Sequence, residues 1–262
     1  MLGGAFGFML GGPLGAILGA VLGHNLDRGI GGLKDFEPLR PGDKERVQTA
    51  FFTATFSVMG HLAKADGRVS KDEIEMARAV MSQMDLTQEL RQTAIRLFDQ
   101  GKRADFPLDD VLEQFRQECH RRQTLVQMFV EIQLQAAYAD GVLHLAEERL
   151  LLHICQRLHL PESLFRNLEQ MIKAERHYAG SGGRKAVRPV GPSLEDAHAI
   201  LALSPQSSDA EVKRSYRRLL SQHHPDKLVS KGLPDEMMKM AAQKTHEIRQ
   251  AYERIKQERG MR

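Results

Sequence analysis

From Met1 to Gly23 the chain carries no charged side chain, only Leu, Ala, Val, Ile, Met, Phe and Gly with a single Pro13. As one helix this run would be roughly 33 Å long, against a bilayer hydrocarbon core of about 30 Å, so it predicts a transmembrane helix over 1–24. A secretory signal would need a basic leader, which is absent. Arg28, Lys34, Arg40, Lys44 and Arg46 follow the run and no basic residue precedes it. The positive-inside rule therefore puts the C-terminal bulk of the chain in the cytoplasm, after a single span. Glycine recurs at every fourth residue, at Gly3, Gly7, Gly11, Gly15, Gly19 and Gly23. Such overlapping small-xxx-small motifs let a second helix approach closely, which predicts a homodimer through this face. Glycine is also ordinary in membrane helices, so a plain flexible anchor fits the same residues.

The remaining chain has the composition of globular domains. With 262 residues there is room for two folded units beyond the anchor. A net charge of +3, with 27% charged and 42% hydrophobic residues, gives no reason to expect nucleic acid. Cys119 and Cys155 lie far apart without Cys-x-x-Cys spacing, which points to a reducing compartment rather than a zinc site or disulfide framework. Gly-x-Ser-x-Gly, His-Glu-x-x-His and P-loop patterns are missing, so the chain is expected not to be an enzyme and to need no cofactor.

Residues 25–42, with Gly29, Gly31, Gly32, Pro38, Pro41 and Gly42, read as a juxtamembrane tether. Over 43–176 the apolar residues follow helical spacing, as in Phe52, Phe56, Met59 and Ala63 or Met128, Ile132 and Leu134, and the fold class is all-α. The segment contains a repeat: Ala65-Asp66-Gly67 followed by Glu73, and Ala139-Asp140-Gly141 followed by Glu147. Each Asp-Gly pair supplies a turn between helices, and Ser70 with Glu73 has the spacing of a capping box. Asp66, Glu73, Asp140 and Glu147 could also converge as oxygen ligands for a divalent ion. Cap chemistry explains the same residue types more simply, so no metal is assigned.

A Gly/Pro-rich linker over 177–192 separates a last unit, 193–262. Ser193 with Asp196 opens a short helix, and Ser208 with Glu211 opens a second, striped by Val212, Tyr216, Leu219 and Leu220. A third, from near Pro234, carries Met237, Ala241, Thr245, Ile248, Tyr252 and Ile255 on one side. The two stripes predict an antiparallel helix pair, with His223-His224-Pro225-Asp226-Lys227 in the loop between. Lys213 with Arg217 and Arg214 with Arg218 form basic i, i+4 pairs off the stripe, able to steer an acidic partner.

Helix, basic helix, His-Pro-Asp loop and long helix is the order of the J-domain, which the stretch from Ser193 to Lys256 resembles throughout. The paired Ala-Asp-Gly turns resemble the TerB-type helical domain. The whole order of anchor, TerB-like bundle, linker and J-domain is similar to the DjlA-type family, membrane-anchored DnaJ-like co-chaperones of the Gram-negative inner membrane. The resemblance implies that His224, Pro225 and Asp226, flanked by Lys213, Arg214, Arg217, Arg218 and Lys227, bind a DnaK-type chaperone and stimulate its ATP hydrolysis. The alternative it leaves open is a metal- or stress-responsive envelope sensor acting through the TerB-like domain, with the J-domain as docking point. Many J-domains carry tyrosines and then glycine in the first helix, where this chain has Ala197, His198 and Ala202. The packing there is expected to differ.

Overall fold

The computed structural model describes residues 11–23, 43–65, 78, 80–82, 84, 86–138, 141–180 and 192–261, and among these every regular element is helical. An N-terminal helix, α1 (Gly12–Gly23), precedes a bundle of α2 (Asp43–Leu62), α3 (Gln88–Gly101), α4 (Leu108–Glu118), α5 (Gln123–Ala137), α6 (Leu145–Arg157) and α7 (Glu162–Gly180). The C-terminal unit comprises α8 (Leu194–Ile200), α9 (Asp209–His223), α10 (Pro225–Ser230), a 3-10 turn (Asp235–Met237) and α11 (Met238–Arg259).

Helix α2 is the axis of the bundle and packs against α1, α3, α4, α5 and α6. It is buried nearly all round, including Thr49, Thr53, Thr55 and Ser57. That is the pattern of a central helix rather than an amphipathic one. Phe51, Phe115 and Phe129 meet at its centre, with ring centroids 4.6 to 6.5 Å apart. Helices α2 and α3 cross in backbone contact. A Cβ at Gly60 would lie 1.9 Å from the Phe98 carbonyl oxygen, and one at Gly101 only 1.7 Å from that of Ser57.

Helix α1 starts where Gly-Gly-Pro dictates. Gly11 and Gly12 have φ of +55° and +60°, which glycine adopts at little cost, and Pro13 sits in the first turn, where a missing N–H does no harm. Starting at Gly12, α1 is roughly 18 Å long and covers the second half of the span expected over 1–24, whose first ten residues lie outside the described ones. Among the described residues no helix is long and apolar enough to cross a membrane. Instead Leu14, Ile17, Leu18 and Val21 are buried in the core they share with the bundle. The Gln114 amide donates to the Gly11 carbonyl (2.9 Å) and accepts from the Leu14 N–H (2.8 Å), while Arg96 donates to the Val21 carbonyl (3.1 Å).

Helix α7 runs on through His177 to Gly180, into the stretch read as linker. In the C-terminal unit α9 and α11 pack together as the expected pair, and α8 lies against both α11 and α7. Tyr216 stacks on Tyr252 at 4.1 Å and 13°. His198 fills the position flagged by the sequence. Its Nδ1–H donates to the Leu194 carbonyl (2.7 Å), leaving Nε2 to accept from Arg259 (3.0 Å), because a guanidinium can only donate. Arg259 also donates to the carbonyls of Pro205 and Ser207 and to Asp209, clamping the turn between α8 and α9. Ala202 has φ +51°, which accounts for the glycine that many J-domains carry there.

Candidate functional site

The His-Pro-Asp tripeptide sits at a junction of two helices. Helix α9 ends at His223, and His224 (φ −63°, ψ 123°) is both its C-cap and the N-cap of α10. The sequence reading placed Lys227 in a loop, but Pro225 and Asp226 open the short helix α10. Proline pre-sets the first helical turn and forces the residue before it into extended backbone, so one Pro both ends α9 and starts α10. The corner is rigid for that reason.

The Asp226 carboxylate points to solvent, while His224 is half-buried and its Nδ1 is enclosed. The Asp226 side chain is 86% exposed and that of His224 40%, with His224 Nδ1 4.0 Å from the Asp226 carboxylate. Lys227 leans back to donate to the Ser221 hydroxyl of α9 (2.7 Å), tying the two helices across the corner. On α9 Arg214, Arg217 and Arg218 are exposed and Lys213 is half-buried, so the basic pairs lie off the apolar stripe as their spacing predicts. Arg217 donates back to the Lys213 carbonyl and Arg218 to Ser215, which holds the guanidinium stems along the helix. Ser208 and Glu211 form the expected capping box, and Glu211 is held below the usual carboxylate range by hydrogen bonds from Ser208. A free carboxylate on a cationic face can accept paired, charge-assisted hydrogen bonds from a protein partner.

Of the other singled-out residues only some fall among the described ones. Gly11 and Gly19 face open space, Gly15 is buried against the bundle, Gly23 ends α1, and Gly3 and Gly7 lie outside the described residues. Asp66, Glu73 and Asp140 also lie outside them, as does the Ser70 cap. Glu147 is buried, and its carboxylate accepts from the His144 N–H (2.9 Å), closing the N-terminus of α6. Cys119 and Cys155 are buried free thiols, both pushed up to about 12 by burial. They are inert at neutral pH.

Four residues near the corner were not anticipated. His223 is buried with its Nδ1 3.9 Å from Glu131 of α5, and Lys244 of α11 is bonded to both Glu131 and Glu175 of α7. The clue lay in charged residues placed on apolar stripes: Lys244 between Ala241 and Ile248, and Glu131 between Met128 and Leu134. Nothing in one dimension paired them.

An exposed His-Pro-Asp corner between a basic helix and a long antiparallel helix defines a J-domain protein. Comparison with known families agrees: the DnaJ domain matches residues 196–260, the tellurite resistance protein TerB family 52–170, and the co-chaperone DjlA transmembrane domain 1–35. Co-chaperone proteins DjlA of Coxiella burnetii, Photobacterium profundum and Escherichia coli are similar to this chain. The first is 48% identical over 82% of this chain and 80% of its own length. The second is 43% identical over 100% and 99%, and the third 43% identical over 82% of each. The chain belongs to the DjlA co-chaperone family. No solved structure matches it at a significant level.

Proposed function

We propose that this chain is a membrane-anchored adaptor that recruits a DnaK-type chaperone and stimulates its ATP hydrolysis, doing no chemistry of its own. The observation that carries the reading is the exposed Asp226 carboxylate on a proline-stiffened corner, beside the outward Arg214, Arg217 and Arg218 of α9. Like charges on α9 speed encounter with an acidic surface, while the corner supplies the directional contacts. The transmembrane-family match over residues 1–35 and the charge-free run support a single-span anchor in the bacterial inner membrane. The basic residues after the run support a cytoplasmic position for the bulk of the chain, and the glycine repeat supports self-association in the bilayer.

The test is ATP turnover by a purified DnaK-type chaperone with the full chain reconstituted in lipid. Wild type is expected to accelerate turnover, and Asp226→Asn, which keeps shape and removes charge, to lose at least about tenfold of that stimulation. Equal stimulation by both would remove the tripeptide from the mechanism, and none by wild type would remove the function.

A further inference from the structure

The tripeptide is exposed, but both of its flanks are held by the TerB-like bundle. On the N-terminal side stands the charge cluster of Lys244, Glu131, Glu175 and His223. The Lys244 side chain is 6% exposed and those of Glu131 and Glu175 are 5% and 12% exposed. Lysine and glutamate are almost never buried so deeply unless paired. Both carboxyl groups bonded to Lys244 come from the other domain, so this buried cation is satisfied only while the two domains stay together. His223 packs beside the same Glu131 carboxylate, and Thr245, next to Lys244, donates to the His223 carbonyl (2.9 Å). One glutamate of α5 thereby lies 3.9 Å from the residue immediately before the tripeptide and is bonded, through Lys244, to the helix that supports it.

On the C-terminal side Leu228, Leu233, Met237, Met240 and Ala241 belong to the same apolar core as the bundle. Gln48 of α2 donates to the Leu233 carbonyl (3.3 Å) and Lys231 donates to Thr124 of α5 (3.1 Å). Gly232, at φ +101°, lies so close to α2 that a Cβ would come within 2.7 Å of Val47. Between His223 and Leu228, Asp226 and Lys227 face solvent. The docked arrangement leaves outward the side chains that the proposed function uses, so docking preorganises them rather than covering them.

We infer that Glu131 is a positioning residue for the tripeptide, acting through His223 and Lys244 to hold the His224–Asp226 corner in a fixed orientation on the TerB-like domain. A partner that meets a fixed corner does not have to order it on binding, so the gain falls on the apparent affinity for the chaperone. The inference rests on the proposed stimulation of ATP hydrolysis.

The experiment uses the full chain in lipid and measures chaperone ATP turnover against chain concentration for wild type, Glu131→Gln, His223→Gln and the double variant. Far-UV circular dichroism is recorded on each. Each single substitution should raise the half-saturating concentration about fivefold with little change in maximal stimulation, and the double should be no worse than the worse single. That non-additivity separates positioning through His223 from simple loss of stability. His223→Gln leaves the Glu131–Lys244 pair in place, so it decides the matter alone if Glu131→Gln does not fold. An unchanged half-saturation, additive effects, or a gain of stimulation in folded variants would each overturn the inference, the last by showing the contact to be inhibitory. Absence of stimulation by wild type as well would overturn the functional reading itself, and this inference with it.

Discussion

Single residues in this chain act mainly by where burial leaves their charge. Burial pushes the Glu175 carboxyl up to about 7 from its ordinary 4.5, with Lys244 opposing and Glu247 and Glu131 adding to the rise. Burial acts against ionised Glu131 too, but Lys244 and His223 outweigh it and hold that carboxyl below its usual value. His223 is lowered, chiefly by burial. A carboxyl with a raised folded value binds its proton more tightly in the folded state. The stability it contributes is therefore present below the unfolded value of 4.5 and is lost as pH rises through about 7. His223 works the other way, weakening the folded state as pH falls below its ordinary 6.5. Glu175→Gln cannot ionise, so its melting temperature relative to wild type should rise as pH increases from 4.5 through 7, as followed by thermal unfolding across that range. A constant difference across the range would defeat this assignment. Arg259 is a second case, four acceptors on one guanidinium. Arg259→Ala should cost the J-domain about 2 kcal/mol in urea denaturation, because the buried His198 then loses its donor. A cost near zero would mean that the clamp is ornamental.

At the scale of elements the tightest constraint is the crossing of α2 and α3 through Gly60 and Gly101, where each backbone occupies the place of the other's side chain. Gly60→Ala cannot be absorbed by a rotamer change, since the obstacle is the Phe98 carbonyl. It should destabilise by at least about 2 kcal/mol, measured by chemical denaturation, despite alanine's better helix propensity. A stabilised variant would show that the helices cross differently. The short helix α10 is the other element with consequences. Pro225 creates it, and it turns a presumed loop into a stiff corner whose far side, from Leu228, enters the bundle.

For the whole molecule, the apolar core of the bundle continues into residues 228–241 of the C-terminal unit, while Ala174 of α7 packs in the core of that unit in return. Domains with shared cores and a shared buried ion cluster unfold as one. Calorimetry of the full chain should give a single transition with equal calorimetric and van't Hoff enthalpies. Two separated transitions would refute the shared core.

The helical fold class, the capping residues of α8 and α9, the basic face of α9 and the tripeptide itself were all readable along the chain. Each depends on neighbours within about one or two helical turns, a range over which periodicity and cap chemistry are informative. The start of α1 follows equally local chemistry, the Gly-Gly-Pro at its N-terminus. Tertiary structure alone decided that Glu131 and Glu175 meet Lys244, that His223 turns inward while Asp226 turns out, and that Arg259 closes on His198. The reason is physical: hydrophobic periodicity says that a side chain faces inward but not what it will meet there. The partner of a buried charge, which can lie anywhere in the chain, is chosen by the packing of whole helices.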